Sequence, residues 1–201
     1  MFDTIASDEI LSRTAAALTA NGMEALIVDS GAAAKQKLFE MIPPGAQVMN
    51  NTSITLDTIG VVDELLNSGK YNATRHKLMD ANISPKEKAI LGALSEWTIG
   101  SAHAVTEQGS IMIASNTGSQ LPSDAYTSPN VILVIGGQKI VKDLDQGMKR
   151  IYEYVLPKES VRSNKAYNIT SGSFVSKLLV INREIKPNRI RVILVKESLG
   201  F

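Results

Sequence analysis

Five consecutive apolar residues, Val131-Ile132-Leu133-Val134-Ile135, constrain the fold more than any other stretch of this chain. Side chains alternate between the two faces of a strand, so a strand that is apolar at every position needs cover on both. This run is therefore expected at the centre of a sheet with layers above and below it, closed by Gly136-Gly137-Gln138-Lys139.

The rest of the chain supplies those layers. Ser7 is placed to cap a helix over residues 8–20, with Asp8 and Glu9 in its first turn and Asn21-Gly22 as its stop. Residues 24–29 read as a strand, and Ser30-Gly31 turns the chain into an alanine-rich helix over 32–41 that Pro43-Pro44 ends. A further strand at 47–49, a loop at 50–53 and a helix over 54–66 repeat the alternation. Strand followed by helix, repeated, predicts an α/β fold: one domain over residues 1–201 with a largely parallel sheet flanked by helices.

Residues 67–99 depart from that rhythm. They hold Lys70, Arg75, His76, Lys77, Lys86 and Lys88, lack a strand-like run, and contain a proline-bearing cap at Ser84-Pro85-Lys86-Glu87. A helical insertion is expected there, either a lid over the sheet edge or a solvated excursion, with Trp97 as a core or insertion anchor. Beyond it, residues 102–106 and 110–114 suit a hairpin turned at Gln108-Gly109. Leu144, Met148, Ile151, Tyr152 and Val155 mark a helical stripe ended by Pro157, and residues 177–182 and 190–196 read as a final pair of strands turned at Lys186-Pro187-Asn188.

Composition narrows the chemistry. The 201 residues, 44% of them hydrophobic, suffice for one substantial core. A formal charge of +1 and an aromatic content of 5% offer no footprint for nucleic acid. Cysteine is absent, which excludes disulfides, thiolate catalysis, zinc–thiolate sites and an intrinsic iron–sulfur cluster held by cysteine; any redox role needs a partner or a bound cofactor, whose identity is open. The segment MFDTIASDEILSRT is acidic early and unlike a secretory signal, and no apolar stretch reaches the ~20 residues of a membrane span. A soluble cytoplasmic protein is expected.

In an open α/β sheet, ligands bind beyond the carboxyl ends of the strands. Three polar loops fall there. Asn50-Asn51-Thr52-Ser53-Ile54-Thr55 can present amides and hydroxyls to a phosphate or carboxylate, or Thr52 or Ser53 can simply cap the next helix. Ser115 to Gln120 can form a tight turn in which Asn116, Ser119 and Gln120 meet a ligand and Gly118 lets the backbone approach it, or a purely structural turn. In the third loop Gln138 and an exposed Lys139 can meet a negative group, although the spacing is not that of a phosphate-binding Walker loop. The expected site is a convergence of Asn51, Thr52, Ser53, Thr55, Asn116, Gly118, Ser119, Gln120, Gln138 and Lys139 around a small anion, a carboxylate or phosphate, without a metal. Glu107 at the hairpin turn is either a solvated surface group or a base or nucleophile. His76 and His103 are too few and too far apart for a metal set, and His103 is expected as a strand residue with one satisfied hydrogen bond.

The runs GSAHAVTEQG from Gly100, IASNTGSQLP from Ile113, VIGGQKIVKDLDQGMKRIYEYVLP from Val134 and VILVKESLGF from Val192 together resemble the LUD-domain family of lactate-utilisation proteins, and MNNTSITL from Met49 matches that family's polar loop. The resemblance covers nearly the whole chain. It implies a fold similar to the CoA-transferase and ribose-phosphate-isomerase superfamily and a role linked to oxidation of L-lactate to pyruvate. It also implies iron–sulfur subunits as partners, this cysteine-free chain resembling the component without clusters. In superfamily relatives that transfer CoA, a glutamate before a glycine acts as nucleophile, and Glu107-Gln108-Gly109 looks similar. Two functions follow: a cluster-free accessory or ligand-binding component of a lactate-utilisation system, or a stand-alone enzyme using Glu107 on a phosphorylated or acyl-activated small molecule.

Overall fold

Alternate residues of the central apolar run divide between two cores. Val131, Leu133 and Ile135 belong to one buried cluster and Ile132 and Val134 to another, all with no solvent exposure. The structure, a computed structural model, describes residues 2–201. Its strands are β1 (Glu24–Val28), β2 (Gln47–Asn50), β3 (Asn72–Ala73), β4 (Trp97–Gly100), β5 (Ala104–Thr106), β6 (Ile111–Ser115), β7 (Asn130–Gly136), β8 (Ile140–Val141), β9 (Lys177–Ile181) and β10 (Ile190–Val195). Six of them form an all-parallel sheet in the order β1-β10-β7-β4-β2-β3, with β7 inside it as its composition requires. The other four form a second, mixed sheet in the order β8-β5-β6-β9.

Serine hydroxyls start the helices that cover the parallel sheet. Ser7 caps α1 (Asp8–Ala20), Ser30 caps α2 (Gly31–Met41) and Ser53 caps α3 (Ile54–Thr58), each accepting a backbone N–H three residues on. The expected single helix over 54–66 is two, because Gly60 takes a left-handed φ of 68° before α4 (Val61–Asn67). Leu38, Leu56, Val61 and Leu65 pack α2, α3 and α4 on one face of the sheet. Leu11 and Leu18 of α1, with Val105, Ile111 and Ile113 of the second sheet, cover the other. The layers are thus helices, parallel sheet, then second sheet with α1.

Residues 67–99 hold the expected helices, α5 (Thr74–Leu78) and α6 (Pro85–Ala93), the latter started by the Ser84/Glu87 capping box. They are not helical throughout: β3 joins the sheet edge, and β4 enters the sheet between β7 and β2. Trp97-Thr98-Ile99-Gly100 is buried at all four positions, and Arg191 lies 5.6 Å over the Trp97 ring, so Trp97 is a core residue. The hairpin at Gln108-Gly109 forms between β5 and β6 as expected. The last two strands do not pair with each other: β9 joins β6 in the second sheet and β10 lies between β1 and β7 in the first.

Pro157 does not end a helix. From α7 (Leu144–Lys149) the chain passes through a π-helical segment, Arg150–Val155, into α8 (Leu156–Tyr167) without a break. The wider π turns accommodate a ring that would clash with the carbonyl four residues back in an α-helix. Gly147, Arg150, Ile151 and Val155 are buried, while Leu144, Met148 and Tyr152 of the expected stripe are exposed.

Candidate functional site

The carboxyl ends of β2, β4 and β7 are neighbours in the parallel sheet, and the loops leaving them open into one cleft of about 420 Å³. Asn51, Thr52, Ser53 and Thr55 come from the loop after β2, Ser101 and His103 from the loop after β4, and Lys139 from the turn after β7. Asn116, Thr117, Ser119 and Gln120 follow β6 of the second sheet. Val155, Leu156, Tyr167, Ile169 and Phe174, from α8 and the segments flanking it, give the remaining wall an apolar character. The volume and the mixture of apolar wall with convergent polar groups are those of a small-molecule site.

Eight of the ten expected ligand-binding residues line this cleft. The two that do not have structural tasks. Gly118 has a φ of 85°, and a Cβ there would fall 2.5 Å from Cδ of Lys177; the glycine serves the turn and the lysine packed on it. Gln138 is buried and donates through Nε2 to the carbonyls of Leu199 (3.0 Å) and Gly200 (3.3 Å), fixing the segment after β10. Gln138→Ala is expected to cost about 1 kcal/mol and to speed amide hydrogen exchange in residues 196–200.

Lys139 is not exposed. Only 2% of it is accessible, and no carboxylate among the described residues pairs with it. Its Nζ donates to Thr55 Oγ1 at 2.9 Å and Ser101 Oγ at 3.2 Å. Thr55 Oγ1 in turn donates to the carbonyl of Leu199 at 3.0 Å, and Ser101 Oγ to that of Ala102 at 3.4 Å. Burial, and secondarily the Arg150 guanidinium, pushes the ammonium down to about 7.

His103 shares this environment. Its Nδ1 accepts the Ala114 N–H at 3.1 Å, so in the neutral ring the proton resides on Nε2, for which no protein acceptor is found among the described residues. Burial, then Lys139 and Arg150, pushes the imidazole down to about 3 and keeps it neutral. Arg150, fully buried behind the cleft, donates to the His103 carbonyl at 2.5 Å, and its Nε and other terminal nitrogen have no partner among the described residues. The one acidic side chain on the cleft wall among the described residues, Glu159, is held by Arg162 in two bonds of 2.6 and 2.7 Å. Among the described residues the site therefore gathers cationic and donor side chains without an available acidic side chain.

Asn51 is fixed from below. Its amide nitrogen donates to both carboxylate oxygens of Asp124, at 3.0 and 3.2 Å, and its own carbonyl oxygen is buried without a partner among the described residues. Arg189 donates twice to the Asp124 backbone carbonyl, at 3.1 and 2.8 Å.

Glu107 lies elsewhere. It forms the expected hairpin turn, but its carboxylate pairs with Arg13 of α1 and it does not line the cleft. Glu107→Gln is expected to change stability by less than about 1 kcal/mol and to leave ligand binding in the cleft unaltered, as calorimetry would show. Three contributors, Ser101, His103 and Arg150, were not expected from the sequence. The signal for two of them was present: Ser101 and His103 directly follow β4, so reading Trp97 to Gly100 as a strand places them at a carboxyl end. No group of three or more histidine, aspartate and glutamate side chains among the described residues forms a metal set. No helix among them is long and apolar enough to cross a membrane.

A crystal structure of a DUF162 family protein from Deinococcus radiodurans aligns over 96% of this chain and 99% of its own, with a TM-score of 0.57 and 12% identity. The crystal structure of eIF2B beta from Chaetomium thermophilum aligns over 56% of this chain and 42% of its own, with a TM-score of 0.38 and 15% identity. A search of curated proteins returns no match. The profile described as LUD domain matches residues 11–195, which takes in every strand of both sheets and every residue of the cleft up to Val175. The chain belongs to the LUD domain family.

Proposed function

We propose that this protein is a ligand-binding component of a lactate-utilisation system and takes a small anion, such as the carboxylate of lactate or pyruvate, into the cleft beside Lys139. The observation that carries the proposal is a buried lysine with hydroxyl partners and no carboxylate. A buried cation is normally paired, because removing it from water is costly. Here a bound anion supplies the missing charge, with the His103 Nε2–H and the polar 51–53 loop as further donors. The chain has no cysteine to hold a cluster, so oxidation of lactate needs a partner or a bound cofactor to take the electrons, and iron–sulfur subunits acting beside it would do so.

Calorimetric titration of L-lactate, pyruvate and inorganic phosphate into the wild type and Lys139→Met tests this. Hydrogen bonds to charged groups contribute about 1.5–3 kcal/mol, so the variant is expected to bind the preferred anion roughly tenfold or more weakly. Equal affinities in the two proteins would refute the role of Lys139.

A further inference from the structure

We propose that Lys139 is a nucleophile that condenses with the carbonyl of a small 2-oxo acid, and that His103 polarises that carbonyl. This rests on the reading of the cleft as an anion site and specifies its substrate class.

The hydrogen-bond pattern at Nζ carries the inference. Thr55 and Ser101 both direct their own hydroxyl hydrogens to backbone carbonyls, those of Leu199 and Ala102, so toward Lys139 each acts as an acceptor. A neutral amine has two N–H groups and one lone pair. With both N–H groups engaged by these hydroxyls, the lone pair is left for the ligand. The acidic side chain on the wall, Glu159, is occupied by Arg162, so it does not compete for the amine. The amine is also neutral at the right pH, since burial and Arg150 lower it to about 7. His103 is the second half of the apparatus. Its Nδ1 is fixed as an acceptor, so a neutral ring offers Nε2–H to an oxygen in the cleft, and a neutral imidazole is a competent polariser of a carbonyl.

The step balances without an oxidant or reductant. The Lys139 lone pair attacks C2 of the 2-oxo acid, the new C–N bond forms as the carbonyl π pair moves to oxygen, and a proton passes from nitrogen to that oxygen. The carbinolamine then expels its hydroxyl as water with one further proton, giving the imine; addition of water reverses the sequence.

The test uses pyruvate and cyanoborohydride at pH 7.5 with the whole wild-type chain, followed by peptide mapping, and a parallel calorimetric titration with L-lactate, which has no carbonyl at C2. The expected product is a carboxyethyl group on Lys139. An ordinary lysine, with a pKa near 10.4, is neutral in only about one molecule in a thousand at that pH, so Lys139 should be labelled roughly a hundredfold or more faster than surface lysines. His103→Gln should slow labelling by a larger factor than it weakens lactate binding, since binding keeps Lys139 and the 51–53 loop. Labelling of Lys139 upholds the proposal whether or not lactate binds measurably. Lactate binding with labelling spread evenly over surface lysines, or absent, overturns the imine and leaves the anion site standing. Absence of both labelling and binding overturns the two together.

Discussion

Replacing Lys139 by methionine is expected to raise the stability of the ligand-free protein, by about 1–3 kcal/mol at pH 6, and to do so less as the pH rises. The folded-state value of about 7 lies below the ~10.4 of an unfolded lysine. Between those values the unfolded chain holds a proton that the folded chain does not, so wild-type stability rises with pH across that window. Below pH 7 both states are protonated and the whole cost of burying the charge is present. The difference in Tm between variant and wild type should therefore be largest near pH 6 and shrink toward pH 10. His103, neutral in the fold down to about 3, and Asp124, pushed up to about 7 mainly by burial, titrate chiefly below this window. A stability difference that does not vary from pH 6 to 10 would show that Lys139 is not depressed. The sequence alone suggests an exposed lysine; the side chain is buried instead, which is why its removal bears on stability.

The second large effect lies beneath the cleft. Arg189, 2% accessible at its side chain, pairs with Glu184 at 3.2 Å and holds the Asp124 carbonyl with two further bonds. Asp124 in turn fixes Asn51. Arg189→Met removes one member of a buried pair and is expected to cost about 3–5 kcal/mol by urea denaturation. Arg189→Met combined with Glu184→Met should recover part of that loss, because no charge is then left buried alone. Loss of under about 1 kcal/mol in the single variant would mean that the pair is effectively solvated.

What the sequence revealed and what it concealed divide along the range of the interactions. The serine cap at Ser7, a cap from Thr52 or Ser53 on the next helix, the hairpin at Gln108-Gly109 and the central position of Val131 to Ile135 rest on contacts a few residues apart or on periodicity, and all were legible, whereas Ser30 read only as a turn and proves to be a cap. The convergence of the polar loops was legible for the same reason: loops that follow strands of one parallel sheet share an end of it. The division into two sheets was not. Lys177–Ile181 and Ile190–Val195 are equally good strands, and only their partners, β6 and β7 in distant parts of the chain, decide which sheet each joins. Trp97–Gly100 is too short for its periodicity to speak. Pro157 misled because the π-helical turns that tolerate it leave no compositional trace. Lys139 looks like any loop lysine, since its burial depends on hydroxyls 84 and 38 residues away.

The cleft as an anion site centred on Lys139 is tested most directly by counting protons. At pH 8 an amine of about 7 is largely neutral, and an anion bound beside it favours the protonated form, so binding should draw a proton from solution. Titrating L-lactate at pH 8 in two buffers of different ionisation enthalpy measures that uptake as the difference between the observed heats. The expected result is net proton uptake by the wild type that disappears, together with most of the affinity, in Lys139→Met; heats independent of buffer, with affinity retained in the variant, would contradict the site.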